Sequence, residues 1–558
     1  MLLKKHLLLF ICLLILSAVQ AQTDVPRGWH LADFSEDSYY GISLNKAYNF
    51  LKEKNIVSHT ITVAVLDGGV DTAHEDLRNV MWHNPKEIAG NGIDDDHNGY
   101  IDDVYGWNFL GNSDGGCLKK ASDEKSRVYY RFKSKYQGVL IDTNALKAED
   151  KFQYKMWLRA SAEMNVSSDE QMEVTFLEII SKNLKKNDRI LQDEMGKTEF
   201  TIEQAEQFEP KTKQGKDAKF NFLTAIKLLE RESDEKNTTI LSELDDYTEG
   251  KKEAIESATT APKDYRAEYI KDDYTNINDK YYGNNNVKGP DAQHGTHVSG
   301  IIAAERNNGI GIDGIADNVK IMSVRTVPNG DEYDKDVALG IFYAVDNGAK
   351  VINMSFGKYY SPEKRWVDSA VKYAEQKDVL LVHAAGNEST DIEEKESFPS
   401  PIFLNTKTKA GNFITVGASS DPKMKGTLVA DFSNYGKLNV DVFAPGVKIY
   451  SSLPGNQYGN ESGTSMAAPV VSGIAALIRS NFPELSAKQV KEAIEKSVFI
   501  PDSTVSCIKP GTKDEKVHLS DLCKTGGIVN AYYAVMAAWE MEQKIIIADK
   551  NKKQKKQS

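Results

Sequence analysis

Apolar residues along this chain fall in two rhythms. Short β-branched or aliphatic runs stop at polar or glycine positions: Ile61-Thr62-Val63-Ala64-Val65-Leu66, then Lys320 to Val324, Val351 to Met354 and Val379 to Val382. Runs of this length and composition predict buried strands. Between them apolar positions recur at helical spacing and predict helices over Asp334 to Asn347 and Glu363 to Gln376. Two more helical stripes follow His294 (Val298, Ile301, Ile302, Ala303) and Ser465 (Val470, Val471, Ile474, Ala475, Leu477, Ile478). Strands alternating with helices in this way imply a mainly parallel sheet with helices on both faces, an α/β, doubly wound fold.

One long stretch breaks the alternation. Residues 113–280 are rich in Lys, Glu, Asp and Gln, poor in glycine, and carry stripes such as Val174-Phe176-Leu177-Ile179-Ile180-Leu184 and Phe220-Phe222-Leu223-Ile226-Leu229. They are expected to form an inserted, charged helical subdomain. The wholly polar run Arg231 to Asn237 leaves a charged loop as the alternative. Residues 22–112 and 281–540 then make one split domain, with Gly41 to Tyr48 near its start, and 541–558 form a basic tail expected to be disordered.

Composition narrows the function classes. The 558 residues carry a net charge of -12, which argues against nucleic acid as a partner. Met1 to His6 is basic, Leu7 to Leu16 is a short apolar run, and Ser17 to Gln22 supplies small residues at Val19 and Ala21. That order predicts a signal peptide, 1–21, cleaved after Ala21, and a secreted or periplasmic product with no transmembrane segment in the mature chain. Cys12 leaves with it. Cys507 and Cys523 enclose a loop of a length that suits a disulfide in an oxidising compartment, worth roughly 3 kcal/mol; Cys117 is free or pairs with one of them. There is no Cys-x-x-Cys or His-Glu-x-x-His zinc spacing, which counts against a metalloprotease.

The chemistry sits in three distant boxes: Val65-Leu66-Asp67-Gly68-Gly69-Val70-Asp71, His294-Gly295-Thr296-His297-Val298-Ser299-Gly300 and Gly463-Thr464-Ser465-Met466-Ala467-Ala468-Pro469. A serine hydroxyl is a weak nucleophile until a histidine takes its proton, and the histidine needs a carboxylate to fix its tautomer and stabilise the imidazolium. Ser465, His294 and Asp67 fill those roles. Asp67 ends a strand, where open α/β sheets place their sites. Ser465 opens a helix whose positive end and own N–H face a developing oxyanion, and Asn387, at the end of the run from Val379, is the second donor. His74, His297 and His383 have no such role and are read as structural.

The order Asp, His, Ser, with close matches at all three boxes, resembles the subtilisin-like serine proteases, the subtilases. The resemblance implies a secreted serine endopeptidase acting through an acyl-enzyme on protein or peptide substrates. A tripeptidyl-type exopeptidase or peptide ligase on the same triad, or a non-catalytic calcium-binding or adhesion protein, are the alternatives. It further implies that Ser355-Phe356-Gly357 runs beside the substrate backbone as an added strand, and that Ala384, Ala385 and Gly386 line the pocket for the residue before the scissile bond. The far wall, Phe398 to Phe413, departs from the family pattern.

The family also implies calcium at Asp76 and Asn308, with the carbonyls of Ile310 and Ile312. A separate signal for calcium is Asp94-Asp95-Asp96-His97-Asn98-Gly99, which sets oxygen ligands Asp94, Asp96 and Asn98 at alternate positions before a turn glycine, as in an EF-hand loop. It departs at Tyr105, where a bidentate Glu belongs, leaving Asp102 or Asp103 to complete a site. Two further departures are the distance from Asp67 to His294, a few dozen residues in the family, and too little chain between Ala21 and Ile61 for the usual inhibitory propeptide. The expectation is a fold formed without one, with the insertion restraining access to the cleft.

Overall fold

The computed structural model describes residues 25–557 except 230, 232, 234 and 503, so the expected signal peptide and its cleavage point after Ala21 lie outside the described residues. Its centre is a seven-stranded sheet: β1 (Ile61–Asp67), β2 (Gly106–Asn108), β3 (Val319–Arg325), β4 (Ala349–Met354), β5 (Leu380–Ala384), β6 (Phe413–Ser419) and β7 (Val442–Pro445). The strands lie in the order β2-β3-β1-β4-β5-β6-β7, and every neighbouring pair is parallel. A separate antiparallel hairpin joins β8 (Ile449–Leu453) to β9 (Gln457–Glu461).

Period-two alternation splits the core cleanly. In β1, Val63 and Val65 join the core on the side of helices Gln293–Ala303 and Thr464–Asn481, while Ala64 and Leu66 join the core under helices Asp334–Asp346 and Lys364–Gln376. Both faces are covered, which is why the strand reads as a continuous apolar run. The predicted strands and helices hold to within about two residues.

The stretch 113–280 contains helices Glu124–Tyr136, Ala148–Glu163, Ser168–Met195, Ile202–Gln207, Lys213–Leu228, Asn237–Glu256 and Tyr265–Tyr269. Ser167 with Glu170, and Thr201 with Gln204, form capping boxes that start two of them. Leu177, Ile180, Leu184, Leu191, Phe222, Ile226, Ile240 and Leu244 make a core of their own. The stripes are narrower than the sequence suggests, because Phe176, Ile179 and Phe220 stay exposed. A second cluster joins Val128, Phe132 and Trp157 to Tyr360 and Phe398 of the sheet domain.

Buried charge fastens this insertion to the sheet domain. Lys358 Nζ lies 2.9 Å from both Glu124 Oε2 and Asp334 Oδ1 and donates to the Glu332 carbonyl at 2.6 Å. Arg266 grips Asp336 at 2.6 and 2.9 Å and Asp272 at 2.8 Å. These charges are almost fully buried, so each depends on its partners for the solvation it has lost.

Two expectations are corrected. The terminal helix Ala531–Gln557 runs through the segment taken as a disordered tail; Ala531, Ala534, Val535 and Ala538 seat its start in the main core, and the Lys- and Gln-rich remainder has good helix propensity. Cys507 and Cys523 share one apolar cluster but are free thiols rather than a disulfide, and burial pushes the Cys507 thiol up to about 12. Among the described residues no helix is long and apolar enough to cross a membrane.

Replacing Arg266 by leucine leaves Asp336 in the interior without its cation, while Asp272 keeps Lys335. Urea unfolding is expected to show a loss of about 3–5 kcal/mol; a loss below 1 kcal/mol would mean that this pairing does not fasten the insertion.

Candidate active site

β1 is an interior strand, paired on one side with β3 and on the other with β4, and Asp67 is its last residue. Asp67 is buried and also accepts the Gly68 N–H at 2.7 Å. His294 lies in the first turn of helix Gln293–Ala303, and its Nδ1 is 2.9 Å from both Asp67 oxygens. The next residue has to be glycine: a Cβ at Gly295 would come 2.2 Å from the Gly69 carbonyl oxygen and 3.1 Å from Asp67 Cβ. That contact brings helix and strand close enough for the pair to form.

Burial by itself lowers the pKa of the His294 imidazole, but the Asp67 carboxylate overcomes it and pushes the value up to about 9. The side chain still has 42% of its surface open to the cleft, and water there screens part of this rise. The group is therefore protonated at low pH, and its base form appears as pH rises through the shifted value.

Ser465 is the second residue of helix Thr464–Asn481, so its N–H has no carbonyl one turn back to bond. Its Oγ donates to the Ser355 carbonyl at 3.0 Å rather than to His294. Asn387 is exposed, and its side-chain oxygen accepts both the Thr464 N–H and the Thr464 hydroxyl at 2.9 Å. That fixes the amide's orientation and leaves Nδ2 as the uncommitted end, 3.5 Å from where a Gly463 Cβ would be. A buried polar chain supports the serine: Ser472 Oγ donates to Asn353, Asn353 Nδ2 to Ser355 Oγ, and Ser355 Oγ to the Ser465 carbonyl, at 2.8–2.9 Å.

Ser355–Gly357 continue β4 beyond its last paired residue, and Ala384 to Gly386 continue β5 alongside. The insertion also reaches this cleft. Gln293, next to His294, donates to Glu243 of helix Asn237–Glu256 at 3.2 Å and to Glu461 of β9 at 3.3 Å. Lys236 donates to Gln457 at 2.5 Å. No motif pointed to Glu243 or Glu461, since isolated charged residues read as solvated surface.

Two groups of oxygen donors lie away from the triad. Asp76 is fully buried and accepts Asn308 Nδ2 at 2.7 Å and the Ile312 N–H at 3.1 Å, while Ile310 N–H bonds Asn308 Oδ1. Burial raises the Asp76 pKa, and no lysine or arginine pairs with it among the described residues. Asp94 and Asp96 are joined by Glu87, their oxygens lying within 4.8 Å of one another; Glu87 has no alternate-residue spacing to reveal it. Asn98 turns its Nδ2 to Asp103, and Asp102 is spent on the N–H groups of Gly90, Asn91 and Gly92. Asp103 is buried, its carboxyl pushed up to about 6, accepting from Tyr343, Asn84 and Asn98.

The sequence profile of the Subtilase family matches residues 58–526. The chain is 42% identical over 219 residues to a thermophilic serine proteinase of Bacillus sp. (strain AK1), covering 39% of this chain and 50% of that protein. It is 38% identical over 224 residues to a cell wall-associated protease of Bacillus subtilis (strain 168), covering 40% and 23%. With thermitase of Thermoactinomyces vulgaris the identity is 39% over 203 residues, covering 36% and 66%. The match thus spans between 23% and 66% of the length of these relatives.

Histidine NMR titration is expected to place His294 above the ordinary imidazole value of 6.5, raised by Asp67. Asp67→Asn removes the cause, and the resonance is expected to titrate at or below 6.5; an unchanged value would mean that Asp67 does not hold the imidazolium.

Proposed function

This chain belongs to the subtilase family, and we propose that it is a secreted serine endopeptidase that cuts extended polypeptide through an acyl-enzyme. The observation that carries this reading is the His294 ring held through Nδ1 by Asp67, with Ser465 at a helix N-terminus and Asn387 beside it. Ser465 Oγ attacks the scissile carbonyl and its proton passes to His294 Nε2. The carbonyl π electrons collect on oxygen, which the Ser465 N–H and Asn387 Nδ2 hold. Collapse breaks the C–N bond as His294 returns the proton to the leaving amine, and water then repeats the sequence on the acyl-enzyme. Substrate pairing with Ser355 to Gly357 as an added strand competes for the Ser355 carbonyl and frees the Ser465 hydroxyl for His294.

The insertion serves as a wall of the cleft. Its contact with Gln293 and Gln457 supports a role in restricting which chains reach His294. Calcium is proposed as a structural cofactor. Asp76 with Asn308, and Glu87 with Asp94 and Asp96, offer the hard oxygen donors that calcium takes. The ion would supply the positive charge that these carboxylates lack.

Export is inferred from the basic and apolar start of the chain.

Casein and a long unstructured peptide are expected to be cut at internal bonds, with Ser465→Ala inactive and Asn387→Ala reduced about 100- to 1000-fold in kcat. Release of tripeptides alone, or joined products, would shift the reading to an exopeptidase or ligase, and cleavage by Ser465→Ala would overturn it. Calcium is expected to raise Tm, by about 2.7 kcal/mol of stability at a hundredfold excess over Kd, with part of the gain lost in Asp76→Ala and part in Asp94→Ala. No rise in Tm would remove calcium from the account.

A further inference from the structure

β4 and β5 pair as far as Met354 with His383 and no further. Beyond that point Ser355–Gly357 and Ala384–Gly386 border a gap beside the nucleophile, since Ser465 Oγ rests on the Ser355 carbonyl and Asn387 follows Gly386. A substrate lying along Ser355–Gly357 with its carbonyl at Ser465 directs the side chain of that residue into this gap. His383, the last paired residue, packs against Gly357 at its edge.

Several polar groups converge there. His383 is 1% exposed, and its Nε2 has no hydrogen-bond partner among the described residues. A Cβ at Gly357 would lie 3.4 Å from His383 Nε2, 3.4 Å from Ser397 Oγ and 3.2 Å from the Phe398 carbonyl oxygen. The third wall is fixed, because Lys358 and Phe398 exchange backbone hydrogen bonds at 3.0 and 2.8 Å and Phe398 packs into the cluster shared with the insertion. Behind His383 and Ser397 lies a small cavity of about 20 Å³, room for about one water, also lined by Glu396, Ser400, Thr415 and Asn439.

The protonation state narrows the ligand. Burial pushes the His383 pKa down to about 4, opposed by the neighbouring Phe356 backbone, so the ring is neutral at ordinary pH. A neutral imidazole has one N–H and one lone pair and carries no charge to hold a carboxylate. Glu396 at the cavity repels an acidic side chain further. A carboxamide has both donor and acceptor. It can satisfy Nε2 in either tautomer while bonding Ser397 or the Phe398 carbonyl, and a site built on unpaired polar groups discriminates strongly against an apolar isostere.

We propose that His383 is a specificity-determining residue, and that the enzyme selects glutamine or asparagine as the residue whose carbonyl is attacked. The proposal rests on the peptidase reading above. Its test is a set of internally quenched peptides differing only at that residue (Gln, Asn, Met, Leu, Glu, Lys), assayed with the wild type, His383→Leu and Ser397→Ala, each normalised to the fraction labelled at Ser465 by a fluorophosphonate. For the wild type, kcat/KM for Gln is expected to exceed that for Met and Glu by about 10-fold or more. The Gln-to-Met ratio is expected to fall to within about 3-fold in His383→Leu and to an intermediate value in Ser397→Ala. Labelled wild type that prefers Met or Leu, or that prefers Lys through Glu396, would overturn the proposal while leaving the peptidase reading intact, as would an undiminished Gln preference in the variants. Wild type that neither labels nor cleaves would overturn the peptidase reading and this proposal together. Should His383→Leu not fold, the wild-type profile and Ser397→Ala still decide.

Discussion

Everything in the cleft hangs from the last residue of one interior strand. Asp67 is held by parallel pairing on both sides, so its carboxylate is fixed before any helix is considered. The glycine after His294 then lets the histidine helix close on that strand, and the ion pair at 2.9 Å sets the tautomer and basicity of the ring. Had β1 been an edge strand, with one side open, the same three residues would not be held in one geometry. The serine reaches the site on a second helix tied to β4 through Ser472, Asn353 and Ser355.

Helix polarity and sheet splay supply the remaining parts. The first turn of helix Thr464–Asn481 leaves backbone N–H groups unspent, and the Thr464 bonds to Asn387 turn its amide nitrogen outward as a second donor. Where β4 and β5 cease to pair, the proposed substrate strand would take the place of their pairing. The insertion is joined to this edge at close range, since Lys358, the residue after Gly357, is the cation that Glu124 and Asp334 share. Buried ion pairs of this kind add little net stability but penalise any arrangement that separates them. They suit a part that has to stay in register with the cleft.

The sequence was most legible where geometry leaves few choices. Strands buried on two faces must be apolar throughout, and the residues beside Asp67, His294 and Ser465 must be small for strand and helices to approach, so both signals survive in the bare chain. The insertion was legible only as helical, because its anchors are Arg266, Lys335, Lys358, Asp272 and Asp336, charged residues that a pattern of apolar positions assigns to solvent. Glu87 lay outside the alternate-residue spacing that drew attention to Asp94 and Asp96. The helix through 541–557 was hidden by its basic composition, which suits an unpacked tail and an exposed helix equally. His383 was read as structural, since its missing hydrogen-bond partner and the gap above it exist only once β4 and β5 are placed side by side.

The most direct measurement is a crystal structure with a peptide boronic acid that carries a glutamine side chain beside the boron. The account predicts a tetrahedral boronate bonded to Ser465 Oγ, with one oxygen about 2.7–3.1 Å from both Asn387 Nδ2 and the Ser465 N–H. The peptide would lie along Ser355–Gly357 with its carboxamide over His383. An unmodified Ser465, or a boronate whose oxygens ignore Asn387 and the helix N-terminus, would contradict it.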